Sequence, residues 1–370
     1  MGVYFGLVLL ILILPFLGIA WKDEGKRAGF SLIVFGIALF LVYVLRDFSV
    51  GRDIPGYCEV YETMYARALF DASWTWMEWG YVLLMKVCSM LGLSARAFLA
   101  VVYVIIEVPL LLFIKRCSKD VTLSLVVFMC FQFFVFSMSA LRQTMAMSLC
   151  LMGYMAAQRN GLRPFLSYVF WLVLACLVHR SAIVFAPVYA LMRWKLNIKM
   201  IIVYIVTVVF AVALKANIIL GLRSDANEVE STTVQENLSI GAFFWFMMLV
   251  VAIAFVFSYV KYSRQKSPGI VKSLFSYGDS IPQTLSNHSN LLMCCLVLQY
   301  IFRGFMLMRA AVFYQVFLLL VIPEILEELP KQMKGAARIL VIAGMVAIFY
   351  LATLSHNELD IVPYRLGILK

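Results

Sequence analysis

The sequence predicts an all-α polytopic membrane protein of about twelve transmembrane helices, with one further short re-entrant or interfacial helix. Three observations carry that expectation. Hydrophobic residues make up 64% of the 370-residue chain and charged residues only 14%, and the mean hydropathy is +0.94. A water-soluble domain would have to expose much of that apolar surface. The apolar residues recur in stretches of about 15–20, close to the length a helix needs to cross a bilayer. The segments between them are short and basic. The formal net charge of +11 therefore reads as a topology signal and not as a nucleic-acid footprint.

Spans are expected near residues 2–20, 28–45, 97–114, 121–141, 143–158, 164–179, 181–193, 199–217, 240–260, 288–303, 309–328 and 337–354. The first has no basic residue before it and Lys22, Lys26 and Arg27 after it. That is the pattern of an uncleaved anchor with its N-terminus outside. Residues 79–93 are short for a crossing, and counting them as one would move every later basic loop to the outer side. The chain is thus expected to be a single integral membrane domain over 1–370. It has an outer segment at 46–96 holding the short helix, an outer loop at 217–240 and a Ser-rich, basic cytoplasmic loop at 261–287. The eight cysteines lie mainly in apolar segments and include no CxxC pair, so no disulfide framework is expected.

On this topology eighteen of the 31 lysines and arginines face the cytoplasm and thirteen face out. Ten of the outer thirteen are arginine, against seven of the inner eighteen. The inner set is the ordinary positive-inside signal. The outer set needs another reason, and arginine suits two-point recognition of phosphate or carboxylate. Arg142 makes the point most sharply. It is the one charged side chain between residues 121 and 157, and a guanidinium at mid-bilayer costs about 2.5–3.5 kcal/mol on insertion scales. The topology moves it to the outer end of a helix.

The other strongly polar residues near membrane level gather on the same side. His179 and Arg180 occupy one outer turn, Arg303 and Arg309 flank another, and Arg46, Arg52 and Asp53 begin the outer segment. Arg223 lies in the long outer loop, and Tyr364 and Arg365 lie in the tail. Together they outline a cavity open to the outer face. Taken singly, each arginine is also explained by snorkelling to the interface, and the His179–Arg180 turn by hairpin capping. Glu107 stands alone in mid-span, where a buried polar partner or the floor of the cavity would account for it.

The familiar catalytic signatures are missing. There is no HExxH, GxSxG, Walker loop or dinucleotide-binding glycine motif. The three histidines, His179, His288 and His356, are too scattered for a histidine-rich metal site. No cofactor and no metal are expected.

The runs "RDFSVGRDIPGYCEVYE", "WMEWGYVLL", "SALRQTMAMSLCLMGY", "LVHRSAIVFAPVYAL", "RAAVFYQVFLLLVIP" and "VPYR", in that order, resemble the EpsG-type, Wzy-like bacterial polysaccharide polymerases. The resemblance covers most of the chain, from about Arg46 to Arg365. It rests above all on an RQ-x-x-A helix start at Arg142 and Gln143 followed by H-x-S-A-x-x-x-x-P from His179. It implies an enzyme of capsule, exopolysaccharide or O-antigen assembly, related in fold to the multi-span glycosyltransferases with polyprenyl-phosphate donors. Such enzymes join undecaprenyl-diphosphate-linked oligosaccharide repeat units at the outer face of the bacterial cytoplasmic (inner) membrane. The growing glycan moves to the new lipid-linked unit, with the lipid diphosphate as leaving group. The partners implied are that lipid-linked oligosaccharide, membrane lipid and a chain-length regulator protein.

The residues suit this chemistry in their own right. Arginines at outer helix ends can stabilise a diphosphate as it leaves, by electrostatic preorganisation and without a divalent metal. Arg142, Arg180 and Arg309 are the expected diphosphate contacts, with Arg303 and Arg46 as second choices. Arg52, Gln143, Tyr57, Arg223, Tyr364 and Arg365 complete the expected binding set. Trp74, Trp76 and Trp79 either anchor at the interface or stack on sugars. His179 is the expected general base, because a neutral imidazole suits removal of the acceptor hydroxyl proton near pH 7. Asp53 and Glu78 are the alternative bases, and sugar binding is the alternative role for His179. Competing functions are a lipid-linked oligosaccharide flippase or other transporter, an O-antigen ligase and a membrane acyltransferase. A transporter more often carries internal repeats and polar residues through the membrane depth, and neither is visible here.

Overall fold

Helices begin where capping chemistry allows them to. Asp23, Ser94 and Asp120 each place a side-chain oxygen on a backbone amide of the first turn that follows, at Lys26, Ala97 and Leu123. Each fills a donor that the helix itself leaves unpaired. The computed structural model describes residues 1–18, 23–66, 77–225, 242–265, 283–302 and 306–367. In chain order its helices are α1 (Gly2–Leu17), α2 (Glu24–Leu45), α3 (Ile54–Thr63), α4 (Trp79–Met90), α5 (Ala95–Cys117), α6 (Val121–Cys130), α7 (Phe133–Ser137), α8 (Leu141–Ala156), α9 (Leu162–Val178), α10 (Val188–Leu191), α11 (Ile198–Asp225), α12 (Ala242–Gln265), α13 (Gln283–Ile301), α14 (Val312–Gln315), α15 (Leu318–Glu327) and α16 (Lys331–Ile348). Short 3₁₀ turns at Arg180–Phe185 and Met306–Ala311 interrupt the series.

Among the described residues, five helical stretches are long and apolar enough to cross a membrane: Glu24–Leu45, Ala95–Cys117, Phe243–Val260, Arg309–Glu327 and Lys331–Leu351. Several shorter apolar helices accompany them. This is the architecture of a multi-pass membrane protein. The apolar side chains left exposed agree with that. Ile33, Ile37 and Leu41 follow one another at four-residue spacing along one face of α2, and all three are open to the surroundings. Such a stripe is stable against hydrocarbon and costly against water.

Three expectations differ in detail from the structure. The crossing expected at 121–141 is broken. Gln132 takes the left-handed conformation, with φ 69°, so α6 stops at Cys130 and α7 is one short turn. The break is tolerated because this stretch lies inside the protein and the backbone resumes its bonding at once, the Phe136 amide donating to the Gln132 carbonyl at 2.7 Å. The crossing expected at 181–193 is a 3₁₀ turn followed by the single turn of α10. The helix expected from residue 288 begins at Gln283, and Ser286 and Asn287 are already buried. The short helix α4 has 12 residues, a rise of about 18 Å against an apolar bilayer thickness of about 30 Å.

The described chain divides into two packed units. The first comprises Met1–Ala186 with Leu329–Lys370, and the second Pro187–Glu328. In the first, α8 packs on α5 and α9, α2 packs on α5, and α4 packs on α9. In the second, α13 is the centre, contacting α11, α12 and α15. Glu107 of α5 has the buried partner its position called for: Ser137 Oγ donates to its Oε1 at 2.7 Å.

Candidate active site

The turn Ser137–Ala140 delivers Arg142 to the site, and four contacts fix that turn. Tyr43 OH donates to the Ser137 carbonyl at 3.2 Å. Arg46 Nη1 donates to the Met138 carbonyl at 2.6 Å. The Asp53 amide donates to Ser139 Oγ at 3.3 Å. Gly51 has φ 107° and presses on the same carbonyl, so that a Cβ there would lie 2.4 Å from the Met138 oxygen. Only glycine meets both conditions. The result is that α8 starts at Leu141 with Arg142 in its first turn.

Glu78 arrives from the other direction. It is the last residue before α4, and the second residue of that helix, Gly80, lies against the end of α9. A Cβ on Gly80 would sit 2.8 Å from the Leu177 oxygen. That close approach brings Glu78 to His179, which ends α9.

The carboxylate then holds three groups at once. Its Oε2 accepts from Arg142 Nη1 at 2.5 Å. Its Oε1 accepts from the Arg180 backbone amide at 3.1 Å and lies 3.1 Å from His179 Nδ1. Arg142 Nε donates onward to Tyr57 OH at 3.1 Å. Burial works to raise the Glu78 carboxyl, but the His179 and Arg180 hydrogen bonds and the Arg142 charge outweigh it. They hold the carboxyl down to about 2. Glu78 is therefore a fixed anion, poorly suited to take up a proton at neutral pH. With Glu78 on Nδ1, His179 Nε2 is the ring nitrogen that remains, and it has no partner among the described residues. Side-chain exposure is 11% for Glu78, 16% for Arg142 and 25% for His179, so the imidazole is the most accessible member.

The remaining expected residues separate by position. Arg180 is exposed, beside His179. Asp53 is half-buried beside Ser139, and its carboxylate has no partner among the described residues. Gln143 is buried on α8. Arg46, expected as a substrate contact, is completely buried. It lies over the Tyr43 ring at 4.3 Å and offers no surface to a ligand. Arg52 pairs with Asp360 at 3.1 Å, both half-exposed. Tyr364 donates to the Val42 carbonyl at 2.9 Å, and the Arg365 carbonyl accepts from the Asp47 amide at 2.8 Å with its side chain exposed. The tail "VPYR" thus straps the start of the outer segment. Arg96, passed over in the sequence, clamps that strap through the Val44, Arg46 and Gly367 carbonyls. Arg309 is exposed in the second unit. Arg223 falls on α11, with its side chain outside the described residues, and Arg303, Trp74 and Trp76 lie outside them altogether.

Sequence reasoning also missed Gly80, Ser139 and Tyr43, which position the cluster without belonging to it. Their signal is weak, since glycine, serine and tyrosine near helix ends are ordinary. A scan against protein-family models matches residues 29–366 to the EpsG family. No curated protein and no solved structure matches the chain.

Proposed function

We propose, from the premise that the chain belongs to the EpsG family, that it is a lipid-diphosphate-dependent polysaccharide polymerase. The family gives the coarser statement, a membrane protein of polysaccharide biosynthesis. The observation that carries the finer one is the Glu78 carboxylate gripping His179, Arg142 and the Arg180 amide together.

Glu78 accepts a hydrogen bond from His179 Nδ1–H, which fixes the tautomer and leaves the Nε2 lone pair for the reaction. The acceptor sugar hydroxyl gives its proton to Nε2 as its oxygen attacks the anomeric carbon of the growing glycan. The bond from that carbon to the lipid diphosphate breaks, and its electron pair leaves with the diphosphate. Arg180, exposed beside His179, neutralises the developing charge. Arg142 is committed to Glu78 and Tyr57, so it acts as the frame of the site more than as its phosphate contact. Asp53 is the free carboxylate available for sugar hydroxyls. In this reading the site faces the outer side of a bacterial cytoplasmic membrane, and the substrate is an undecaprenyl-diphosphate-linked oligosaccharide.

The test is incubation of purified protein with a synthetic lipid-diphosphate-linked repeat unit, read by gel and mass spectrometry. A ladder of polymerised units is expected. Glycan transferred to a lipid other than the repeat-unit carrier, acylated sugar, or translocation without a new bond would refute polymerisation. Single-cysteine labelling in a Cys-free background tests the orientation. Position 231 should label from outside and position 266 should not.

A further inference from the structure

A second feature of the first unit lies far from the Glu78 cluster. Helices α2 and α5 run antiparallel, with Arg96 against the Val44 carbonyl at one end and Lys115 beside Gly29 at the other. Between them, toward the Lys115 end, lies an open groove of ≈ 360 Å³. Its walls are apolar, from Ile33, Ile37, Phe40 and Leu112, and Gly29 and Gly36 keep its floor low. The one polar hydroxyl in it, Tyr103, is already committed to the Gly36 carbonyl at 2.5 Å. The charged group in its lining is Lys115, which is exposed and has no partner among the described residues.

The dimensions single out one kind of occupant. From Gly29 to Phe40 the groove follows α2 for about 17 Å, close to the ~15 Å apolar depth of one leaflet. The ammonium then sits at the surface of that leaflet, where a lipid headgroup lies. Arg96 and Lys115 are about 28 Å apart along α5, so the groove opens on the leaflet opposite the Glu78 cluster. Lys26, Arg27, Arg116 and Lys119 share the Lys115 end. Of the acidic residues there, Asp23 is engaged with the Lys26 amide and Asp120 with the Leu123 amide and Arg338. Glu24 lies outside the groove lining.

We infer that this groove is a binding site for an anionic phospholipid, with one acyl chain along Ile33, Ile37 and Leu112 and the phosphate on Lys115. It belongs to the leaflet that the basic loops face, and it is separate from the site proposed for the lipid-linked substrate. An apolar slot alone accepts any chain. The ammonium at its mouth supplies the preference for a negative headgroup, a contribution near the membrane surface worth about a fivefold change in affinity per lysine.

The test uses the purified full chain in maltoside micelles, titrated with dioleoylphosphatidylglycerol or dioleoylphosphatidylcholine, with bound lipids counted by native mass spectrometry. The wild type should retain phosphatidylglycerol in preference to phosphatidylcholine. Lys115→Ala should lower phosphatidylglycerol binding about fivefold and leave phosphatidylcholine unchanged, while Lys115→Arg should keep the preference. Ile33→Trp, a lipid-facing change that fills the slot, should weaken both lipids. Circular dichroism melts confirm that each variant is folded. An unchanged phosphatidylglycerol preference in Lys115→Ala would overturn the headgroup assignment. Undiminished binding in Ile33→Trp would overturn the groove.

Discussion

Among the described residues, two histidine–glutamate pairs have nearly the same local geometry and opposite surroundings. In the first unit His179 Nδ1 lies 3.1 Å from Glu78, with side-chain exposures of 25% and 11%. In the second, His288 Nδ1 lies 2.8 Å from Glu324, with exposures of 9% and 3%. His288 of α13 stacks on Phe317, with ring centroids 6.2 Å apart, among buried Ser286, Asn287, Ser289 and Asn290. The neighbouring amides of Asn287 and Asn290 bond the carbonyls of Met192, Leu191 and Trp194. That pair fastens α13 to α15 within a polar seam. The Glu78 pair differs in three respects. Its carboxylate also holds an arginine and a backbone amide, its imidazole reaches the surface, and an exposed arginine adjoins it. An imidazole–carboxylate bond is thus not a catalytic signature by itself. Access and the surrounding charge separate a pair open to a substrate from one that holds a fold.

The largest effect expected from breaking this contrast is at Glu78. Glu78→Gln removes the anion that holds Arg142 and turns one of the two acceptor oxygens into an NH2 donor, so the side chain can no longer accept from both His179 Nδ1 and Arg142. Polymer formation should fall on the order of 10²–10⁴-fold, measured as initial rate with substrate binding followed in parallel. The same variant sharpens the electrostatic argument. The folded carboxyl is held down to about 2 against an ordinary 4.5. Its ionised form therefore stabilises the fold above about pH 4.5, and that contribution is lost as pH falls from there toward 2. Between those values the wild type should lose stability more steeply than Glu78→Gln, in thermal melts across the window.

At the sealed pair the expected outcome is reversed. Glu324→Gln and His288→Gln should lower stability by about 1–3 kcal/mol, the usual cost of leaving a buried polar group short of a hydrogen-bond partner. The folded fraction should keep its rate. A rate loss in the folded protein without a stability loss would erase the distinction between the two pairs.

Arg142→Lys comes next. It keeps the charge and loses the fork that spans Glu78 and Tyr57, so the rate should drop about 10–100-fold, in line with one or two charged hydrogen bonds. The smallest effect is at Gly80. A methyl group there meets the Leu177 backbone at 2.8 Å. Gly80→Ala should cost about 1–3 kcal/mol of stability and lower the rate of the folded protein, as α4 moves away from α9 and takes Glu78 with it.

Much of the helical framework was legible because its signals are local. Apolar runs of bilayer length, together with Asp23, Ser94 and Asp120 at helix starts, mark helices without reference to the rest of the chain. Arg142 and His179 were legible for a related reason: each is a polar residue at the edge of an apolar run. Their meeting was not. Glu78 is 64 residues from Arg142 and 101 from His179, and no spacing rule links such distances. Burial was equally hidden. Arg46 and the polar run 286–290 look like interface and loop in sequence, yet both are interior because distant carbonyls and carboxylates receive them. The left-handed Gln132 has no sequence mark, since glutamine seldom takes that conformation.

The measurement that bears most directly on the central claim compares His179→Gln with Asp53→Asn. Both purified variants are incubated with the lipid-diphosphate-linked repeat unit and assayed for bound substrate and for polymer. His179→Gln should bind the substrate and make almost no polymer, while Asp53→Asn should polymerise with weakened substrate binding. Normal polymerisation by His179→Gln, with Asp53→Asn binding substrate and yielding none, would move the base to the carboxylate and contradict the account.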